Sequence, residues 1–531
     1  MGLSPTIDCT IILGTAASGT CRASYSSGTS VTLAASATNG TFDSWSGACS
    51  GTGLCALTMS ADRSVKATFV APPGSEAMVG KWDPPTSMTV IGLHLSRLSG
   101  GNLLLWGHGG EPQTWNAGDG SFTEVVNNTC SSPTTCELFC SGHTLLADGR
   151  LLVAGGHYQT ATAGGNGYGL KQSSIFDGLS WSATGSMTYA RWYPTLVELD
   201  NGDVVAISGT QEPGLNASYP ERYNGVSWTT LTAAQLSVPI YPRAFLEPKN
   251  GWIYYAGEGA PRYLDPNGSG AWSSAPSRVV ANRQYGSAVM LDGKVLYVGG
   301  GGHTCPALPQ NTAEMVDLNA AAPTWTAVAS MAFRRRQTNA TILPDGTVLV
   351  TGGTSACGAT DESGAVFAAE NYNRATNQWT TWANASVVRV YHSTTALLPD
   401  GRVFSTGSGD GGGVTQQYSY EIFSPPYLFK GQRPTYTLGS DAIHYGTPFT
   451  VQTPDGASTT KVTMIRLTST THAFDAGQRL NTLAFEKAAD GQSLTVTPPA
   501  SGRIAPPAPY LLFILNDQGV PSVAQTVLLS Q

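Results

Sequence analysis

The chain has 531 residues, a net charge of −7 and only 12% charged residues. That length predicts more than one core, and the absence of a basic stripe argues against a nucleic-acid partner. No apolar run is long enough to span a membrane, and the start, MGLSPTIDCTIILG, lacks the basic and long apolar regions of a signal peptide. A secreted protein would therefore have lost its signal. Gly is abundant (62) and punctuates short β-rich runs. Long amphipathic helical patterns are nearly missing, so the predicted class is all-β.

In chain order, residues 1–71 form a small unit. SVTLAASATNGTFDSWSGACSGTGLCALTMSADRSVKATF reads as short strands around a Cys-clipped turn. It resembles the β-repeat modules of bacterial surface and secreted proteins, which implies a spacer or adhesion role. A linker is expected at 72–77. Between 78 and 428 a turn, an apolar strand and a Gly-rich end recur as GNLLLWGHG, GRLLVAGGH, GDVVAISGT, GWIYYAGEG, GKVLYVGGG, GTVLVTGG and GRVFSTGSG. The period of roughly 50 residues is that of kelch-type propeller blades, and seven copies predict a seven-bladed β-propeller around a narrow channel. Residues 429–531 alternate strands and turns, as in an immunoglobulin-like β-sandwich.

Nine cysteines are spaced so that Cys9–Cys21, Cys49–Cys55, Cys130–Cys136 and Cys305–Cys357 are plausible disulfides, which implies an oxidising compartment. Cys140 is left over. Its place in the repeat is informative. Cys140, Tyr193, Gln284, Gln337 and His392 each lie eight positions before the residue that precedes a turn Gly. Blade symmetry puts them on one ring at one mouth of the channel, with Tyr391, Tyr285 and Arg243 one residue off it. A thiol, two phenols and an imidazole at one mouth form a redox-capable set. Imidazole suits copper, which heads the divalent affinity order; tetrahedral zinc is the alternative, although tyrosine is a poor structural zinc ligand.

At these residues the chain resembles the copper radical oxidases, the galactose oxidase and glyoxal oxidase family. The motifs that carry the resemblance are ELFCSGHTLLADGRLLVAGG, ARWYPTLVELDNGDVVAISG, SVVRVYHSTTALLPDGRVF and STTHAFD, over about 78 to 531. The resemblance implies one copper ion held by Tyr193, Tyr391, His392 and His472, with His472 delivered by the last domain. It implies a Cys140–Tyr193 thioether that carries a radical, Tyr391 as general base, and oxidation of a primary alcohol to an aldehyde with O2 reduced to H2O2. Arg243, Tyr285 and Gln337 are substrate-lining guesses from ring position. The segment after Tyr193, TQEPGLNASYPERYNG, holds no Trp to stack on the cross-link; Tyr285 or Arg283 is expected there instead.

The remaining histidines read as bystanders: His143, His157 and His303 as polar strand ends, His94, His108 and His444 without convergent partners. RRRQ, Arg334 to Gln337, reads as a solvated rim. Asp475 and Arg479 are expected to orient the His472 loop. The partners expected are a small primary alcohol, sugar or aldehyde and O2, for a monomer that is secreted or on a cell surface, of bacterial source. The competing functions are an aldehyde (glyoxal-type) oxidase and a non-catalytic kelch propeller that binds glycans or proteins.

Overall fold

The computed structural model describes residues 7–10, 18–37, 41–70, 74–129, 137–158, 168–281, 283–302 and 305–531. The expected Cys130–Cys136 bridge and His303 lie outside them, as do residues 71–73 of the linker region. The described chain is all-β: its helical turns are Glu76–Val79, Glu362–Gly364 and Pro426–Phe429. Disulfides join Cys9 to Cys21, Cys49 to Cys55, and Cys305 to Cys357, while Cys140 is buried and in no disulfide.

The N-terminal residues form small ladders. Ser30–Leu33 pairs with Cys55–Thr58, and Thr41–Gly47 with Val65–Val70. From His94 onward the sequence repeat becomes antiparallel sheets whose innermost strands are His94–Arg97, Gly142–Leu145, Thr195–Glu198, Ala244–Leu246, Ser287–Leu291, Asn339–Ile342 and Thr394–Leu397. These strands are buried at every residue, which is why they lack the regular apolar–polar alternation of a half-exposed strand. Neighbouring inner strands pack side by side: Gly142–Leu145 on Thr195–Glu198, that strand on Ala244–Leu246, Ser287–Leu291 on Asn339–Ile342, and Thr394–Leu397 on both Asn339–Ile342 and His94–Arg97. The outer edge of the last sheet is completed from the start of the region, where Trp82 pairs with Phe423 and Thr86 with Tyr420. That pairing ties one end of the repeat to the other.

The C-terminal residues have their own core, with Val451, Val462, Leu483, Val496, Leu512 and Val527 among its buried members. They are not a detached unit. The strand Arg479–Lys487 runs parallel to Ser287–Leu291, with Met290 opposite Arg479. A hairpin of Ser469–Thr471 and Phe474–Asp475 adds to the first sheet, Thr470 opposite Leu95 and Thr471 opposite His94. The tip of that hairpin is His472-Ala473.

One polar device recurs in four sheets. A buried Arg just ahead of the inner strand pairs with a buried Glu on the third strand: Arg191 with Glu221 (2.8 Å), Arg283 with Glu314 (2.8 Å), Arg335 with Glu370 (2.5 Å) and Arg389 with Glu421 (3.5 Å). Each guanidinium also donates to a carbonyl of its own sheet, at Ser208, Gly299, Gly352 and Gly407 respectively. The segment that leads into each inner strand is thereby stitched to its sheet. This corrects the expectation for Arg334 to Gln337. Arg335 and Arg336 are fully buried, and Arg336 donates to the carbonyls of Gly302 (2.7 Å) and Ala307 (3.0 Å). The charge run supplies internal ties, not a rim.

Removing one partner strands the other charge in the interior. Glu221→Ala should therefore destabilise by about 3–5 kcal/mol, and the paired change Arg191→Met with Glu221→Leu by clearly less. Thermal unfolding of both variants checks this; a single variant as stable as the parent would remove the stitching role.

Candidate metal centre

The residues ahead of the inner strands share an uncommon backbone. Cys140, Tyr193, Tyr241, Tyr285, Gln337 and His392 all have positive φ, between 44° and 68°. None is Gly, and each such placement costs about 1–2 kcal/mol, so the surroundings must enforce it. The enforcement is visible in the hydrogen bonds. Tyr193 N donates to the carbonyl of Cys140 (2.8 Å), Tyr241 N to that of Tyr193 (2.8 Å) and Gln337 N to that of Tyr285 (2.9 Å). Consecutive sheets are thus linked around one opening.

This ring is the one expected from the repeat, with one shift. Tyr285, not Gln284, is the ring residue of its sheet. Leu291 pairs with Lys294 across a two-residue Asp292-Gly293 turn, whereas Leu145 pairs with Leu151 and Leu397 with Val403 across longer ones. Counting back from a shortened turn overshoots by one residue. Tyr241 is a ring member that spacing missed, because the turn between Glu247 and Trp252 is one residue longer than those between Leu199 and Asp203 or Leu398 and Arg402.

Five donors converge inside the ring. The hydroxyls of Tyr193 and Tyr391 are 3.0 Å apart. The rings of His392 and His472 lie 4.4 Å apart, nearly edge-to-face. His472 Nε2 is 3.6 Å from Cys140 Sγ, and donor atoms of Cys140, His392 and His472 fall within 4.8 Å of one another. The Cys140 thiol also interacts with the Tyr193 hydroxyl.

Both imidazoles are oriented from behind. His392 Nδ1 donates to the Gly409 carbonyl (2.7 Å), which leaves a lone pair on Nε2. That Nε2 is buried with no hydrogen-bond partner. Thr471 Oγ1 donates to the Leu93 carbonyl (3.1 Å) and sits 2.6 Å from His472 Nδ1. The Thr471 hydroxyl hydrogen is taken, so His472 Nδ1 donates and its Nε2 is likewise the acceptor. Such backing orients metal-ligating histidines.

Burial keeps the whole set neutral. It pushes the Cys140 thiol and the Tyr193 and Tyr391 phenols up, takes His392 down to about 3 and lowers His472 strongly. An orphaned buried Nε2 beside a thiol, a second imidazole and two phenols is a site suited to a cation, whose charge favours the ionised thiol and phenols and the neutral imidazoles alike.

Several neighbours differ from expectation. Arg243 is fully buried, and its donors are spent on the carbonyls of Gly286 (3.1 Å), Tyr241 (2.8 Å) and His472 (3.0 Å). It braces the hairpin tip through the His472 carbonyl. Arg283 is committed to Glu314 and cannot stack on Tyr193. An aromatic beside Tyr193 is its own predecessor, half-buried Trp192, with ring centroids 4.3 Å apart; the Trp lies before Tyr193 in the chain and not after it. Tyr241 stands edge-on to Tyr193 on another side (4.9 Å) and donates to the Ser141 carbonyl (2.9 Å). His94 does have a convergent partner: its Nε2 accepts from Cys140 N (2.8 Å), and its ring stacks on Trp106 (4.8 Å). Asp475 sits at the base of the His472 hairpin and accepts from Ser469 N, Gly477 N and Gln478 N. Arg479 donates to the Leu246 carbonyl. Gln337 is buried with neither amide atom hydrogen-bonded, and Tyr285 is half-buried.

Comparison with known proteins gives these contacts a context. Residues 305–427 match the family described as "Glyoxal oxidase N-terminus", residues 433–529 the "Galactose oxidase-like, Early set domain", and residues 9–73 the "Divergent InlB B-repeat domain". A galactose oxidase of Gibberella zeae is 28% identical over 500 residues, which is 85% of this chain and 71% of that one. The aldehyde oxidase GLOX of Vitis pseudoreticulata is 27% identical, over 74% of this chain and 82% of its own. Among solved structures, a fungal alcohol oxidase in complex with copper superposes with a TM-score of 0.76 at 27% identity, over 85% of this chain and all of that one. These relatives each align with 74% to 85% of this chain, which is similar in sequence and fold to the galactose oxidase and glyoxal oxidase family of copper radical oxidases.

Proposed function

We propose that the chain oxidises a primary alcohol to an aldehyde and reduces O2 to H2O2, at one copper ion held by Tyr193, Tyr391, His392 and His472, with Cys140 joined to Tyr193 by a thioether. The observation that carries this reading is the convergence of two phenols, two oriented imidazoles and an unpaired buried thiol. The donor set fits copper, because imidazole suits Cu²⁺ and Cu²⁺ heads the divalent affinity order. When bound, copper supplies Lewis acidity toward the alcohol oxygen and one of the one-electron oxidations that the reaction needs.

The protein's own residues do the rest. Tyr391 Oη takes the alcohol's hydroxyl proton as general base. Tyr193 Oη, 3.0 Å away, takes the hydrogen from the substrate carbon once its ring has been oxidised by one electron and has lost its phenolic proton; sulfur on the ring makes that oxidation easier. Trp192 and Tyr241 wall the Tyr193 ring from water. Gln337, with its amide unspent, is the mouth residue that would meet substrate hydroxyls, with Tyr285 hydrogen-bonded to it through the backbone. The balanced reaction is RCH2OH + O2 → RCHO + H2O2.

The architecture proposed around this site is a seven-bladed kelch propeller at 78–428, with an immunoglobulin-like sandwich at 429–531 that supplies His472 and a small spacer module at 1–71. The seven inner strands and the edge pairing of Trp82 with Phe423 support it. Disulfides support a secreted protein, taken here as a monomer. The relatives named are fungal and plant and lend no support to a bacterial source. The match of 305–427 to a glyoxal oxidase family favours aldehydes as the second substrate class.

Three measurements test this reading. Copper-treated protein should be lighter than its disulfides explain by the hydrogens that a carbon–sulfur bond removes, and Cys140→Ser should abolish the difference; a titratable Cys140 thiol after copper treatment would leave a binding propeller. On a panel of alcohols and aldehydes, peroxide should appear with primary alcohols, and Tyr391→Phe should lower turnover by about 10²–10⁴-fold. Peroxide from aldehydes alone would assign the glyoxal-type activity. Copper affinity should also weaken as pH falls. The raised phenols hold their protons and must release them on binding, at about tenfold in affinity per pH unit for each proton released. His392, taken down to about 3, does not compete above pH 5. A pH-independent affinity would exclude the two tyrosinates.

A further inference from the structure

A second set of metal-ligating side chains lies outside the five donors. His108, Glu137 and His157 bring one imidazole nitrogen or carboxylate oxygen each to within 4.8 Å of one another, and His108 Nε2 is 3.6 Å from Glu137 Oε2. The backbone makes this juxtaposition. Glu137 and His157 exchange both N–H···O bonds (3.0 Å each), so as a directly opposed antiparallel pair their side chains rise on the same face. His108 arrives from the first sheet, where its N–H donates to Asp410 Oδ2 (2.9 Å). Asp410 follows Gly409, the residue that orients His392.

The set is graded from solvent inward. The His108 side chain is 38% exposed and that of Glu137 15%, while His157 is 2% exposed. Glu137 Oε2 is itself buried and accepts no hydrogen bond. A buried carboxylate oxygen without a donor is costly unless a cation completes it. Phe139 separates this cluster from the copper centre, its ring 4.7 Å from His108 and 5.9 Å from His392.

We propose that His108, Glu137 and His157 form a second, solvent-accessible metal site, distinct from the five-donor centre, that takes a divalent transition ion. Two imidazoles and one carboxylate select the zinc and copper class, which binds such sets with a position left open; calcium and magnesium prefer all-oxygen sets. The site does not depend on the proposed oxidase activity.

Zinc sulfate is the probe. Protein loaded with a single equivalent of copper and then dialysed against micromolar zinc should carry one copper and one zinc per chain by metal analysis. Glu137→Gln and His108→Ala, both at partly exposed positions, should each weaken zinc binding at least about tenfold and leave the copper content unchanged, and His444→Ala should change neither metal. The proposal is overturned if parent protein binds zinc no better than Glu137→Gln, or if zinc enters only by displacing copper. Because metal content is read without turnover, a failed oxidase assay leaves this result standing.

Discussion

The site rests on a backbone constraint. Six residues that are not glycine are held in the left-handed region at one end of the inner strands, and hydrogen bonds that run from sheet to sheet link Cys140, Tyr193 and Tyr241 in sequence and Tyr285 to Gln337. A left-handed residue ahead of a strand turns its side chain inward across the opening. The Arg–Glu pairs behind four of these segments resist relaxation. The strain spent in the ring is thus offset by charge-assisted ties and by the apolar burial of the strands themselves.

The fifth donor arrives by another route. His472 belongs to no inner strand; it is the tip of a hairpin that borrows the edge of the first sheet, and its own φ is also positive (48°). Asp475 fixes the hairpin base through three backbone amides, and Arg243 holds the tip by the His472 carbonyl. The donor set is therefore completed only by the hairpin of the C-terminal residues. Loosening Arg243 or Asp475 acts on the centre through position alone, without touching a donor atom.

Burial shapes the chemistry as much as geometry does. With every donor neutral in its surroundings, the site has no charge of its own to attract stray anions or bases. The same low polarity makes a phenol expensive to ionise and an imidazole expensive to protonate. A cation at the centre would turn both costs to advantage, and in the proposed reading it would tie the ionisation of Tyr193 and Tyr391 to metal occupancy. Around it, Trp192, Tyr241, Phe139 and the His94–Trp106 stack form an aromatic wall that limits water.

Much of this was legible in the residues. The repeat period marked out the sheets, and a constant offset from the turn Gly placed Cys140, Tyr193, Gln337 and His392 at one opening, because strand length and turn length are local properties. The offset failed where a local detail changed, at the shortened Asp292-Gly293 turn that moved the ring position to Tyr285. His472 and its role came from resemblance, since nothing in its own stretch says which sheet edge it will join. The partners of Arg243, Arg335, His94 and His108 were likewise decided only in three dimensions. Spacing along a strand fixes which residues share an end of a sheet, but hydrogen-bond and ion-pair partners brought from distant segments depend on how the sheets and the C-terminal hairpin pack, and that information lies in no single stretch of the chain.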